Sequence, residues 1–179
     1  MIEYFLVFLI GLLNKLADLV ADDGLKLKKY IFYPIGPIYG FLIAYIITTY
    51  PVFAPLGMAI MLSCIIAGKI DSKVHYVGIG TFFFFIYLFG LPAINLPIFA
   101  AFFCAGLIDE IGNYYADKGK FRGMIHSFFH YRRTTDVAAV LVSALTGLWI
   151  YLLAVICYDV GYVYIFQVKD RVFPGKSRK

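Results

Sequence analysis

The sequence predicts an all-α, polytopic transmembrane bundle of about six spans, and three observations predict it. Hydrophobic residues make up 62% of the 179 residues and charged residues only 15%. Mean hydropathy is +0.83, so a soluble domain is excluded. Apolar runs near the ~20 residues needed to cross a hydrocarbon core recur along the chain. Lys and Arg gather in alternate loops, as the positive-inside rule requires of a multi-pass protein.

Taken in order, the runs fall at 2–22, 31–50, 52–69, 75–93, 95–117 and 137–157. Nothing before Phe5 resembles a basic signal-peptide n-region, so the first run is expected to be kept as a span. The short loops at Pro51–Pro55 and Gly90–Pro97 carry no Lys or Arg. Lys26, Lys28, Lys29, Lys69, Lys73, Lys118, Lys120, Arg122, Arg132 and Arg133 follow the first, third and fifth runs. Those loops are therefore read as cytoplasmic and the N-terminus as outside, in a cell membrane. The stretch from Val137 to Val168 is long for one span and short for two. The expectation is one span plus an interfacial segment around Tyr162–Phe166, although positive-inside bias favours two short helices. Cys64, Cys104 and Cys157 lie in apolar runs without metal-type spacing and read as packing residues. The partners expected are a lipid bilayer and a divalent cation, and not nucleic acid. A single integral membrane domain over 1–179 is expected.

Within it, Gly11-Leu-Leu-Asn-Lys-Leu-Ala-Asp-Leu-Val-Ala-Asp-Asp-Gly24 recurs at a spacing of 95 as Gly106-Leu-Ile-Asp-Glu-Ile-Gly-Asn-Tyr-Tyr-Ala-Asp-Lys-Gly119. Repeat halves of about 1–93 and 95–179 follow. Four spans separate the starts of the copies, so both motif helices run the same way. The repeat is parallel, unlike the inverted repeats common in transporters.

Asn14, Asp18 and Asp22, like Asp109, Asn113 and Asp117, step by four and share a helical face. The two sets are expected to face each other across a wet cleft on the cytoplasmic side. Oxygen ligands, several of them anionic, suit Mg²⁺ shared with a phosphate. Without a cation, close carboxylates repel and take up protons. Lys15 and Glu110 occupy equivalent positions with opposite charge, so a pair between the copies is expected. Polar glue between helices is the plainer reading of such residues, but carboxylates within apolar spans default to function. Asp71 and His75 at i, i+4 read as a solvated pair and not as ligands. The segment from Phe121 to Asp136 mixes aromatics with His126, His130, Arg132 and Arg133. It reads as an amphipathic interfacial helix on anionic headgroups, and as a flap whose Arg pair clamps a phosphate. Phe82–Phe85, Tyr87, Phe89, Phe99, Phe102 and Phe103 supply lipid-facing or packing surface.

At these residues the chain resembles the UbiA superfamily of intramembrane prenyltransferases. Asn14-Lys-Leu-Ala-Asp18-Leu-Val-Ala-Asp22 is similar to the family's first Asp-rich motif, N-D-x-x-D-x-x-x-D. Asp109-Glu-Ile-Gly-Asn113-Tyr-Tyr-Ala-Asp117 is similar to its second. Lys15 replaces the first family Asp, Asn113 stands at an inner acidic position, and the chain is shorter than nine-helix members. The resemblance implies an all-helical enzyme that transfers a prenyl group from an isoprenoid diphosphate with Mg²⁺. It implies metal ligation by Asn14, Asp18, Asp22, Asp109, Asn113 and Asp117. Asp18, Asp22, Asp109 and Asp117 would carry the catalysis, and Lys73, Arg132 and Arg133 are candidates for the diphosphate. Two other classes compete. A cation or proton-coupled transporter would use the paired acidic motifs as its ion site. A lipid-phosphate metallohydrolase would use His126 and His130.

Overall fold

The computed structural model describes residues 1–21, 25, 32–68, 70 and 72–173. Asp22, Asp71, Lys26, Lys28, Lys29, Lys69 and the tail beyond Phe173 lie outside the described residues. Among the described residues there are eight α-helices, one 3-10 turn at Pro51–Phe53 and no strand. The helices are α1 (Ile2–Ala21), α2 (Ile35–Thr49), α3 (Ala54–Ile66), α4 (Lys73–Phe89), α5 (Leu96–Asp117), α6 (Gly123–His130), α7 (Arg133–Thr146) and α8 (Ile150–Val172).

Among the described residues, three helices are long and apolar enough to cross a membrane: α1, α5 and Ile150–Lys169 of α8. With α2 and α3 counted together as one broken span, there are up to four. Alone, α2 and α3 have 15 and 13 residues and α4 has 17. At 1.5 Å per residue they reach roughly 20–26 Å, short of a ~30 Å core.

The run 137–157 is not one helix. Thr146 ends α7, and Gly147 takes the left-handed conformation at φ 73°, which only glycine adopts without strain. The Thr146 hydroxyl then accepts from the Leu148 N–H at 3.2 Å, and α8 restarts at Ile150. Tyr162–Phe166 lies inside α8, so the separate interfacial segment expected there is replaced by continuous helix. Uniform apolarity across 137–157 offered no period by which to place this break.

The chain divides into two compact units. The first contains 1–50, 71–92 and 156–179, and the second 51–70 and 93–155. These boundaries cut across the repeat halves, and each motif copy falls in a different unit.

In the first unit α2 packs on α4 and α1 on α2. Its core comprises Leu16, Ala17, Leu19, Leu25, Ile35, Tyr39, Val74 and Ile165. Small residues allow the helices to touch backbone to backbone, as apolar membrane helices require. A Cβ on Gly40 would stand 2.1 Å from the Gly78 carbonyl oxygen. Between α1 and α8 the fit is reciprocal. A Cβ on Gly11 would meet the Tyr158 oxygen at 2.2 Å, and one on Gly161 the Phe8 oxygen at 2.1 Å.

The second unit is built around α5, which packs on α3, α6 and α7. Asn95 caps its start, accepting from the Ile98 N–H at 3.2 Å. Gly106 lets Ser63 of α3 approach, and Phe102 packs on Tyr151, both fully buried. Phe83, Phe84, Tyr87 and Phe89 are exposed, a surface suited to lipid.

Candidate functional site

The first motif occupies the last two turns of α1 and faces α8. Asn14 and Asp18 are one turn apart, as are Tyr158 and Tyr162, so the four side chains pair in register. The Asn14 amide donates to the Tyr158 hydroxyl at 2.6 Å, and the Tyr162 hydroxyl donates to Asp18 Oδ2 at 2.9 Å. Gly11 against the Tyr158 carbonyl and Gly161 against the Phe8 carbonyl bring the backbones close enough for both bonds. Lys15 lies 5.1 Å from the Tyr162 ring centre and 5.5 Å from that of Phe166.

His75 reaches Asp18 from the first turn of α4. Ser72 starts that helix by accepting the His75 N–H at 3.3 Å. His75 Nε2 then lies 3.1 Å from Asp18 Oδ1, and its Nδ1 2.9 Å from the Tyr39 hydroxyl of α2. The tautomer protonated at Nε2 satisfies both contacts: Nε2–H donates to the carboxylate and Nδ1 accepts from Tyr39. Tyr39 is placed by Gly78, whose absent Cβ would sit 2.4 Å from the phenol ring. A chain Tyr39–His75–Asp18–Tyr162 thus joins four helices. Its central pair is shielded, with side chains 16% and 23% exposed.

The second motif is engaged differently. Asp109 is 2% exposed. Its Oδ1 accepts from the Thr134 N–H at 2.8 Å, and its Oδ2 from the Thr135 N–H and hydroxyl, both at 2.7 Å. These amides belong to the first turn of α7, whose N-cap, Arg132, supplies no capping side chain. Asp109 therefore caps α7 from a neighbouring helix, where partial positive charge favours a carboxylate. Arg132 itself sits at φ 51°, sparsely populated for a residue with a side chain. Its guanidinium grips buried Glu110 through both carboxylate oxygens, Nε to Oε1 at 3.0 Å and Nη2 to Oε2 at 3.3 Å. The Cys64 thiol donates to Glu110 at 3.7 Å. Asn113 donates to the His130 carbonyl at 3.4 Å, and Phe129 lies where a Cβ on Gly112 would be. Asp117 meets His130 Nδ1 at 3.4 Å, both side chains about half exposed. The second motif is thus a strip of α5 that latches the α6–α7 hairpin.

Several of the expected residues have partners within their own unit. Glu110 takes Arg132 as its partner, and Lys15 lies over aromatic rings. Arg133 pairs with Asp136 at 2.6 Å, so both guanidiniums of the expected phosphate clamp engage carboxylates. His75, expected to be solvated beside Asp71, is drawn into the bundle by Asp18. His126 stacks on His130 with centroids 5.4 Å apart. Lys73 is the first residue of α4, two positions before His75. Sequence reasoning missed Tyr39, Tyr162, Thr134 and Thr135; the spacing of Tyr158 and Tyr162 matched that of Asn14 and Asp18 and was the available signal.

The donor chemistry separates the two copies as metal sites. A carboxylate offers about four lone-pair directions. Among the described residues Asp109 receives three donors and is buried, which leaves little room on it for an ion, whereas Asp117 is half exposed. Among the described residues Asp18 receives two donors and is partly accessible, so it keeps oxygen capacity that Asp109 lacks. Among the described residues, no group of three or more His, Cys, Asp or Glu is placed to hold a metal ion. No family model, no curated protein and no solved structure matches this chain.

Proposed function

We propose that this protein is an integral membrane enzyme acting on an isoprenyl diphosphate, with its chemistry centred on Asp18. One observation carries the reading. Asp18 is a motif carboxylate that is shielded, partly accessible and joined to a chain of proton-carrying groups. The repeated Asp-rich motif at the ends of two membrane-length helices supports it, as does the resemblance to intramembrane prenyltransferases. The topology proposed with it has about six spans arranged as a parallel repeat. The N-terminus lies outside, and the acidic helix ends lie on the cytoplasmic face.

In this reading Asn14, Asp18 and Asp22 would hold Mg²⁺, which when bound would offset charge on the leaving diphosphate. Lys73, the first residue of α4, is the cation proposed for the diphosphate. Asp18 fixes His75 through Nε2, so the basic atom is Nδ1, reached through the Tyr39 hydroxyl. That relay would take up the proton that an acceptor sheds when its new bond forms. Asp109 becomes a positioning residue, setting α7 and the Arg132–Arg133 corner. The surrounding apolar helices would keep water from an allylic cation.

Diphosphate release from a prenyl diphosphate in detergent, with water taking the prenyl group and giving its proton to the His75 relay, tests the reading. Release is expected with Mg²⁺, not with EDTA, and is expected to fall about 10²-fold or more in His75→Gln, the scale of a lost acid–base group. No metal-dependent release at any prenyl length would overturn it.

The same chain favours a second reading, a proton-coupled carrier, because Asp–His relays also serve transport. Proton flux in liposomes abolished by Asp18→Asn, with no diphosphate chemistry, would decide for the carrier.

A further inference from the structure

The segment between the end of α5 and Arg132 has a composition and a placement that the proposed chemistry does not use. α5 is apolar enough to cross a bilayer and ends at Asp117. Only Lys118–Arg122 separates it from α6, a reach of at most ~18 Å. α6 is then tied back to the last turns of α5. Phe129 fits against Gly112, the His130 carbonyl accepts from Asn113, and the His130 ring meets Asp117. These anchors hold α6 at the depth where a membrane-crossing α5 enters the headgroup region.

At that depth α6 shows apolar side chains outward. Met124 is 87% exposed and Ile125 57%, and with Phe128 and Phe129 they border a groove of about 200 Å³. No residue of α6 is buried. Lys118, Lys120 and Arg122, all exposed, lead into α6, and no acidic residue occurs from 118 to 135. Tyrosines hold two of these cations in place. Lys118 Nζ lies 4.0 Å from the Tyr114 ring centre and also donates to its hydroxyl, and Lys120 Nζ lies 4.7 Å from the Tyr115 ring centre. Tyrosines so placed are the usual interfacial anchors of membrane helices.

We propose that 118–131 is a membrane-surface contact that recruits anionic lipids. Met124 and Ile125 enter the acyl boundary, while Lys118, Lys120 and Arg122 bind headgroup phosphates. The charge pattern selects this occupant: an exposed basic segment leading into a helix with exposed apolar side chains matches an anionic lipid, which offers a phosphate and an acyl chain. The latch on the second motif gives the contact a fixed depth, which a free amphipathic helix lacks. This assignment is independent of the Asp18 chemistry.

The test uses the full chain in nanodiscs, with Cys64, Cys104 and Cys157 changed to Ala and a bimane fluorophore on Met124→Cys. Quenching is compared between lipids brominated near the headgroup, either phosphatidylglycerol or phosphatidylcholine at equal mole fraction, and aqueous iodide. The expected result is strong lipid quenching, weak iodide quenching, and about threefold more quenching by brominated phosphatidylglycerol, the scale set by a few basic groups near a surface. In Lys118→Gln/Lys120→Gln/Arg122→Gln that preference is expected to fall to one while lipid quenching persists. Dominant iodide quenching would overturn the membrane contact. Equal quenching by both lipids in the parent, or a preference that survives the triple substitution, would overturn the headgroup assignment.

Discussion

Asp18 and Asp109 come from the same repeated pattern, but their surroundings give them different work. Asp109 satisfies two amides and a hydroxyl in a buried site. Asp109→Ala leaves those donors unpaired and uncaps α7, a loss of about 2–4 kcal/mol. Thermal unfolding in detergent would show it as a lowered midpoint. Asp18→Asn keeps an oxygen for Tyr162 and loses mainly the charge that faces His75, so its midpoint is expected to fall less. A drop for Asp18→Asn as large as that for Asp109→Ala would mean that both copies are helix glue. The sequence made the shared face of Asn14 and Asp18 legible, because i, i+4 spacing on a helix dictates it. It did not reveal that Asp109 caps α7, since Thr134 and Thr135 lie 25 and 26 residues away and their amides leave no mark in side-chain identity.

At the level of elements, packing depends on glycine contacts. Gly11 and Gly161 each place a missing Cβ against a carbonyl of the facing helix. Gly161→Ala would push α8 from α1 and cost about 1–3 kcal/mol by overpacking. Because the Asn14–Tyr158 and Asp18–Tyr162 bonds need that approach, the same variant is expected to weaken any Asp18-dependent ligand binding. Unchanged unfolding and unchanged binding in Gly161→Ala would contradict this helix contact. The membrane-length helices α1 and α5 were readable from their apolar runs to within a residue or two of their ends. The break at Gly147 and the extent of α8 were not, because a helix apolar on all sides has no amphipathic period to mark its limits.

For the whole molecule, the two motif copies fall in different compact units. One unit carries the Tyr39–His75–Asp18–Tyr162 chain, and the other carries the latched α6–α7 hairpin. Composition and run length were enough to predict a helical protein with membrane-length apolar segments, since a chain 62% hydrophobic has more apolar surface than a soluble domain of this size can bury. Function was less legible: the repeat pointed to carboxylates but could not distinguish an available one from one spent on capping. The central claim is that the first motif is the available copy. Binding of a prenyl diphosphate to the detergent-solubilised protein, with Mg²⁺ and with EDTA, tests it most directly when Asp18→Asn and Asp109→Asn are compared. The account predicts that Mg²⁺ tightens binding by about tenfold or more, equivalent to about 1.4 kcal/mol. Asp18→Asn should abolish that gain, and Asp109→Asn should keep it despite a lower unfolding temperature. Binding indifferent to Mg²⁺, or a gain lost in Asp109→Asn and kept in Asp18→Asn, would contradict the account.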